Sequence, residues 1–333
     1  MTTARSSRAR EEKDHPAIEA WRRVQPSRAV PGVPVETLQN RAKGRVYRLT
    51  GAGPAGEDVV AKWSTRERVL RESLAYEKVL PSLPVSRVRH YGTLEDASGW
   101  WLFVASAGGE KYSAVNPEHR SMAGRWLGVL HTSADRQPPR AMLPDRSPSY
   151  YLRELRAGSE EVADRLDNPA LAPDDVLVLK EILAQCDVVA SRWREIERRC
   201  QTTPPTFVHG DFAPKNMRVD RAGGRTRLRP FDWASSGWGT PAADLPQLDL
   251  TPSGYWPSPD LDVYRATVTS TWPTPTRRDL LGLAVVGKIF RSLVCLRLEA
   301  TGLTTDWPER GMSNMRYYHA DLRDALGVAG WSP

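Results

Sequence analysis

One segment of the sequence places three oxygen-bearing side chains at a spacing that could support chemistry. It runs from Phe207 to Trp233, reads FVHGDFAPKNMRVDRAGGRTRLRPFDW, and contains Asp211, Asn216 and Asp232. Phosphoryl transfer requires a carboxylate near the incoming hydroxyl and oxygen ligands for a Mg²⁺ ion that bridges the phosphates. Asp211 suits the first role, because a carboxylate can orient a hydroxyl or accept its proton. Asn216 and Asp232 suit the second role, so the pattern favours phosphoryl transfer.

The predicted elements that must position these groups change from mainly strands to mainly helices near residue 108. Upstream, the β-type runs RVYRLT and DVVAKW flank a Gly- and Pro-rich turn and predict a hairpin over Gly44–Trp63. Helical spacing of apolar residues predicts a helix over Thr65–Leu80, and two more strands are predicted within Arg87–Ser106. Downstream, long amphipathic helices are predicted over His119–Asp135, Ser149–Leu166, Asp174–Cys200 and Arg277–Ala325. Strands and helices do not alternate regularly, which disfavours a doubly wound parallel sheet and favours two lobes.

Three segments follow from this change of character. Residues 1–34 are predicted to be a disordered or extended N-terminal segment, because its start is polar and charged and its end is rich in proline. Within it, HPAIEAWRRV (His15–Val24) predicts a short helix. Residues 35–107 are predicted to form an N-terminal lobe and residues 108–333 a helical C-terminal lobe.

The motifs resemble those of the aminoglycoside phosphotransferase and choline kinase family. The family's HGDxxxxN loop matches His209, Gly210, Asp211 and Asn216, and its hydrophobic-Asp-aromatic motif matches Phe231–Trp233. Protein kinases have HRDxxxxN and DFG in the corresponding places. The resemblance implies an α+β, two-lobed protein-kinase-like fold, in which an N-terminal antiparallel sheet lobe with one helix binds nucleotide and a larger helical lobe carries catalysis and the substrate site.

The resemblance also implies a nucleotide site in the N-terminal lobe, with ATP and Mg²⁺ as cofactors and GTP open as an alternative. Lys62, on the second strand of the predicted hairpin, matches the lysine that contacts the phosphates. Its glutamate partner on the following helix is predicted to be Glu72, with Glu77 as the alternative. Backbone groups of Ser106 and Ala107 are predicted to bind the adenine.

Other conspicuous residues near these motifs have structural interpretations. Gly51, Gly53 and Gly56 lie between two predicted strands, so they are interpreted as a turn rather than as a phosphate-binding loop. By the resemblance, His209 orients the loop that carries Asp211, and Asp244, in TPAADLPQL, holds that loop together.

The sequence identifies the residues that bind the phosphoryl acceptor less specifically than those that bind the nucleotide. The family resemblance implies a pocket between the catalytic loop and the C-terminal helices, where aromatic side chains could stack on a sugar, a base or a cationic nitrogen. The candidate aromatic residues are Tyr255, Trp256, Trp307, Tyr317 and Tyr318. Asp260 and Asp262 could attract an amine or could cap the helix that begins there.

Composition restricts the partners of the protein. The chain has 333 residues and a formal net charge of +7, but its basic residues are interspersed with acidic ones and form no stripe with aromatics, so no nucleic-acid partner is expected. An apolar run of about 20 residues, which a membrane span needs, is missing, and the start of the chain is not a secretory signal. A cytoplasmic protein is therefore expected. A chain this basic is a poor host for a polycationic substrate unless its pocket is locally acidic.

The function that the resemblance implies is ATP-dependent transfer of the γ-phosphate to a hydroxyl of a small molecule. An antibiotic or natural product is the favoured acceptor, in resistance or self-protection. A metabolic kinase of an amino alcohol, sugar or nucleoside is the alternative. A catalytically inactive nucleotide-binding protein is an alternative of another class.

Overall fold

The structure, a computed structural model, describes residues 15–26, 32–41, 44–133, 140–245, 247–251, 254–304 and 307–331. The chain forms two compact units. The first unit comprises the described residues up to Tyr112 together with Lys215–Ser236. The second comprises Ser113–Pro214 and the described residues from Gly237 onward. The division of the chain at residue 107 stays a prediction.

The strands and helices alternate little, in agreement with the predicted α+β class. The strands, in chain order, are β1 (Val35–Arg41), β2 (Gly44–Leu49), β3 (Val59–Ser64), β4 (His90–Asp96), β5 (Gly99–Ala105), β6 (Glu110–Lys111), β7 (Asp145–Arg146), β8 (Thr206–Val208), β9 (Met217–Asp220), β10 (Arg227–Pro230), β11 (Gly237–Gly239), β12 (Gln247–Thr251) and β13 (Gly254–Ser258). The α-helices are α1 (Pro16–Val24), α2 (Arg66–Leu74), α3 (Pro117–Ser133), α4 (Pro148–Ala163), α5 (Pro173–Ser191), α6 (Trp193–Cys200), α7 (Leu261–Val268), α8 (Arg277–Ala300) and α9 (Glu309–Ala329).

The first unit is built on an antiparallel sheet with the strand order β1-β2-β3-β5-β4. The predicted hairpin is confirmed as β2 and β3, and the two strands predicted after it are β4 and β5. Strand β1 was not predicted from the sequence, because six of its seven residues are exposed and its polar sequence VETLQNR gives no alternating apolar pattern. The predicted turn at Gly51–Gly56 is confirmed, and Gly51 and Gly56 have the positive φ values, 66° and 82°, that glycine adopts without strain.

Helix α1 closes the core of this sheet and confirms the short helix predicted there. His15 caps it, since its Nδ1 accepts the N–H of Ala17 at 3.2 Å, and Pro16 takes the first helical position, where the missing N–H costs nothing. The apolar face buries Ile18 and Trp21, each with 2% of its surface exposed. Burial of a side chain like that of Ile18 contributes about 1.5–3 kcal/mol.

A second small sheet of the first unit has the order β10-β9-β6. Gly109, just before β6, has φ +70°, and a Cβ atom there would overlap the backbone of Val219 on β9. Only glycine fits this position, for both conformational and steric reasons. The β9–β10 hairpin pairs Met217 with Pro230.

The second unit is mainly helical. Its core is formed where α4 packs on α8, with the rings of Tyr151 and Phe290 stacked at 3.9 Å between centroids. The single helix predicted over Asp174–Cys200 is wrong: two helices, α5 and α6, meet at Arg192, whose φ and ψ of −97° and 7° interrupt the helix. Apolar periodicity continues across such a break, so the pattern alone does not mark it. The β12–β13 hairpin was also not predicted from the sequence.

None of the helices in the described segments combines the length and the apolar character that crossing a bilayer requires.

Candidate active site

A cluster of three charged side chains lies in the first unit. Nζ of Lys62 is 2.8 Å from Oε1 and 3.1 Å from Oε2 of Glu72, and 3.0 Å from Oδ1 of Asp232. The side chains of Lys62 and Glu72 keep only 15% and 4% of their surface exposed, whereas that of Asp232 keeps 40%. Lys62 does pair with Glu72, as the resemblance implied. The alternative, Glu77, instead accepts the hydroxyl of Ser73 at 2.7 Å.

Local structure explains how these side chains meet. In β3, Val59 and Ala61 are buried in the sheet core, so alternation turns Lys62 to the opposite face. Glu72 belongs to the buried face of α2, which also carries Val69. The helix predicted over Thr65–Leu80 begins as α2 and continues as a π-helical turn over Ala75–Val79.

Asp232 follows β10 and has a left-handed backbone, with φ 70° and ψ 64°. Among the described residues it is the one non-glycine residue with positive φ. Such a conformation costs on the order of 1–3 kcal/mol and persists only where its surroundings fix it. The ion pair with Lys62 is part of that fixation.

Electrostatic coupling keeps the lysine of this cluster charged. Burial disfavours the ammonium form, but the carboxylates of Asp232 and Glu72 outweigh burial and raise the pKa of Lys62 above its ordinary value. Burial also raises the pKa of Glu72, against the opposing effect of Lys62. A fixed ammonium charge of this kind is the feature required for holding phosphates.

Asn216 belongs to the same unit, and β-sheet pairing brings its backbone to the start of the Asp232 motif. The N–H of Phe231 donates to the carbonyl oxygen of Asn216 at 3.0 Å. Asn216 is 4% exposed. An amide oxygen and a carboxylate form a hard donor set that fits Mg²⁺, which typically takes one or two protein carboxylates and completes its shell with phosphates and water. Within the described residues, no cluster of three or more His, Cys, Asp or Glu side chains suited to a metal occurs.

Ser106 and Ala107 follow the end of β5 directly. The N–H of Ser106 donates to the carbonyl of Asp58 at 2.8 Å, so it is not available to a nucleotide base. The carbonyl of Ala107 accepts Nη1 of Arg229 at 3.3 Å. An adenine here would therefore use the carbonyl of Ser106 and the N–H of Ala107.

The loop that carries Asp211 belongs to the second unit and is held by a buried carboxylate. Oδ2 of Asp244 accepts the N–H of His209 and Oδ1 accepts the N–H of Gly210, both at 2.7 Å. Nε2 of His131 lies 3.2 Å from Oδ2 of the same carboxylate, which is fully buried. Hydrogen bonds to a carboxylate are about twice as strong as neutral ones. By these bonds Asp244 holds the loop, the structural role that the family resemblance implied.

His209 contacts both the backbone of the loop and the ring of Phe212, whose centroid lies 5.9 Å from that of the His209 ring. The N–H of Asp211 donates to Nδ1 of His209 at 3.3 Å, and the carbonyl of Asp211 accepts the N–H of Ala213 at 2.8 Å. The ring of His209 is fully buried. This arrangement fits the predicted orienting role of His209.

Arg291 was not predicted from the sequence. Its Nη1, on α8, lies 3.5 Å from Oδ1 of Asp211, and the two side chains are 28% and 26% exposed. Eighty positions separate these residues. In the sequence, the only indication of Arg291 was that it is one of several arginines on an amphipathic helix.

Similarity to known proteins identifies the family of this chain. The model of a phosphotransferase enzyme family matches residues 35–281. The chain belongs to this family. It is a small-molecule kinase with a nucleotide-binding, kinase-like fold. No sequence among curated proteins matches the chain.

Solved structures show the same fold as this kinase at low sequence identity. APH(2")-IIia, in a complex with GDP and kanamycin, has 14% identity and a TM-score of 0.61, over 91% of this chain and 97% of its own. The choline kinase from Cryptosporidium parvum Iowa II has 12% identity and a TM-score of 0.61, over 95% and 97%. Spectinomycin phosphotransferase APH(9)-Ia, with ADP and spectinomycin, has 9% identity and a TM-score of 0.60, over 89% and 94%.

The residues that the sequence suggested for the acceptor site of this kinase lie in different environments. Asp260 caps α7, because its Oδ1 accepts the N–H groups of Asp262 and Val263 at 3.0 and 3.1 Å, which confirms the capping alternative. Trp307 and Tyr317 are exposed, at 77% and 58%. The side chains of Tyr255 and Trp256 lie outside the described part of the chain.

Proposed function

We propose that this kinase transfers the γ-phosphoryl group of ATP, with Mg²⁺, to a hydroxyl of an antibiotic or another natural product. The observation that carries the proposal is the Lys62–Glu72–Asp232 cluster. A buried lysine between two carboxylates, one of them more exposed, is a costly arrangement for stability alone. It is useful if the lysine must hold phosphates and Asp232 a metal.

In this proposal each group has one task. Lys62, held in place by Glu72, binds the phosphates of the nucleotide. Asp211 orients the acceptor hydroxyl and receives its proton as the oxygen attacks phosphorus. Positioning by Asp244 and His209 keeps the Asp211 loop rigid, so that little reorganisation accompanies the reaction.

Asn216 and Asp232 are proposed to hold Mg²⁺. When bound, the metal would neutralise negative charge on the phosphate oxygens. The amide oxygen and the partly exposed carboxylate fit this hard cation.

Ser106 and Ala107 are proposed to bind the base, which we take to be adenine. The names of the similar structures include ADP, ATP and GDP complexes, so the preference for ATP over GTP is part of the proposal.

We also propose that residues 35–107 form the nucleotide-binding part and residues 108–333 the catalytic and acceptor-binding part. Because the reaction consumes ATP, we propose that it takes place in the cytoplasm.

An antibiotic or natural product is proposed as the acceptor because similar structures are named for complexes with kanamycin, spectinomycin and streptomycin. The similarity to a choline kinase supports the metabolic alternative. The intact ion pairs of Lys62 argue against a protein that has lost catalysis. Once catalysis is lost, no selection for activity would keep this buried lysine paired with two carboxylates.

The test is ADP release with Mg²⁺ over a panel of antibiotics, sugars and amino alcohols. We expect Asp211→Asn to lower acceptor-dependent kcat by about 10²–10⁴-fold with nucleotide binding retained. Lys62→Met should weaken ATP binding, whereas Lys78→Met, an exposed lysine that follows α2, should leave it unchanged. Full turnover in Asp211→Asn would refute the assignment.

A further inference from the structure

Arg291 is the cationic side chain that the structure places beside the proposed catalytic carboxylate. Its Nη1 lies 3.5 Å from Oδ1 of Asp211, and over a quarter of its own side chain is exposed, 28%. A guanidinium offers five N–H donors in a planar fork. Among the described residues, this long contact is the one hydrogen bond or ion pair that the guanidinium makes. Most of its donors are therefore available to a ligand that reaches Asp211.

Two acidic side chains, one on α9 and one on α8, have partners of their own. Asp321 pairs with Lys288 at 2.9 Å, and Glu299 accepts Nδ2 of Asn314 at 2.9 Å. A cationic acceptor would have to break these contacts to pair with either of these two carboxylates. Near Asp211 it would also meet the positive charge of Arg291.

The whole chain acts in the same direction at longer range. Its formal net charge is +7, which repels a polycation and attracts an anion before contact. The sequence left open a locally acidic pocket that could offset this charge. The contact of Arg291 with Asp211 provides a local cation instead.

We propose that Arg291 determines acceptor specificity: it binds an oxyanion, a carboxylate or a phosphate, that lies beside the hydroxyl to be phosphorylated. The proposal rests on the proposed function, because it takes Asp211 as the residue that receives the hydroxyl. Arginine suits this task because its planar fork binds both oxygens of a carboxylate or phosphate at once. The oxyanion then fixes which hydroxyl reaches Asp211, and acceptors with an ammonium group at that place are excluded.

The γ-phosphate of the nucleotide is another oxyanion that an arginine could bind. The acceptor is favoured because Arg291 contacts Asp211, the residue assigned to the acceptor hydroxyl. The two roles differ in one measurable property. ATP hydrolysis without an acceptor needs the contacts to the γ-phosphate but not those to an acceptor oxyanion.

The experiment uses the full chain and four probes that share a small polyol skeleton: glycerate, glycerol 3-phosphate, glycerol and 3-amino-1,2-propanediol. ADP release is measured with each probe and without any, for the wild type, Arg291→Gln and Arg291→Glu. Arg278→Gln, an exposed arginine near the start of α8, is the matched control. The thermal midpoint of each variant checks that the second unit is folded.

We expect kcat/KM in the wild type to be highest for one of the two oxyanion probes, and the relative rates of glycerate and glycerol 3-phosphate to separate carboxylate from phosphate recognition. Arg291→Gln should reduce the preference over the amine by about 10–100-fold, the range for a charge-assisted contact, and Arg291→Glu should reverse it. In Arg291→Gln, transfer to the favoured oxyanion probe should fall at least about tenfold more than acceptor-free hydrolysis does, and Arg278→Gln should behave like the wild type.

Three results would overturn the inference. The first is a wild-type preference for glycerol or the amine, or no transfer to either oxyanion probe while ATP hydrolysis continues. The second is an unchanged preference in Arg291→Gln. The third is a loss of acceptor-free hydrolysis equal to the loss of transfer, which would assign Arg291 to the γ-phosphate. A wild-type protein that neither binds nor hydrolyses ATP would instead remove the proposed function, and the acceptor class with it.

Discussion

Substitution of the buried carboxylate of Asp244 tests how the loop that carries Asp211 is held in place. Its two oxygens accept separate backbone N–H groups, from His209 and Gly210, both at 2.7 Å. An asparagine has one acceptor oxygen, so in Asp244→Asn one of these donors would face an NH₂ group. A buried donor without an acceptor costs about 1–3 kcal/mol, and the change also removes the charge that strengthens the remaining bond.

We therefore expect Asp244→Asn to destabilise the second unit by about 2–4 kcal/mol and Asp244→Ala, which leaves both donors unsatisfied, by about 3–5 kcal/mol. For a unit of this size each kcal/mol lowers the thermal midpoint by about 2–4 °C. Asp324→Asn, on the surface of α9 with 45% of its side chain exposed, is the matched control and should change the midpoint by less than about 2 °C.

Calorimetry gives the midpoint, and amide hydrogen exchange of His209 and Gly210 reports the loop directly. Exchange at these two amides should accelerate in both Asp244 variants, and kcat should fall because the loop positions Asp211. The reasoning would be refuted by an Asp244→Ala protein that keeps the wild-type midpoint and slow exchange at both amides. A loss of kcat alone, without faster exchange, would mean that Asp244 acts by its charge and not by holding the loop.

Two further predictions concern backbone geometry and pH. Gly109→Ala should destabilise the first unit by about 2–4 kcal/mol, because the added Cβ would be strained by the positive φ and would overlap the β9 backbone. Gly108→Ala, with φ +60° and no atom within 4 Å of the added Cβ, should destabilise it by only about 1 kcal/mol. Equal thermal midpoints of the two variants would contradict this difference. Burial lowers the pKa of His90 and of His319 from 6.5, so the unfolded chain binds more protons below that pH. The free energy of unfolding, measured with urea from pH 8 to pH 5, should hence fall as the pH drops below about 6.5, and a double glutamine variant at these two positions should show a shallower fall.

Local patterns in the sequence were sufficient for most elements of the first unit. Runs of β-branched and aromatic residues predict β3 and β5, and apolar spacing with a Pro at the first position predicts α1. These features depend on which face of a segment is buried, and such a face is encoded by residues a few positions apart. Strand β1 was not predicted because its exposed, polar residues give no apolar period, and the break at Arg192 was not predicted because apolar spacing continues across it.

By itself the sequence predicted the reacting groups. The spacing of Asp211, Asn216 and Asp232 predicted an oxygen-rich site, and their resemblance to a known family supplied roles for Lys62 and Glu72. The tertiary structure decided which charges meet. Lys62 and Asp232 lie 170 positions apart, and Asp211 and Arg291 lie 80 apart. Pairs at such separations are set by how helices and strands pack, and no local period of the chain encodes them. For that reason the catalytic chemistry could be predicted from the sequence, whereas the cation beside Asp211, and with it the class of acceptor, could be inferred only from the fold.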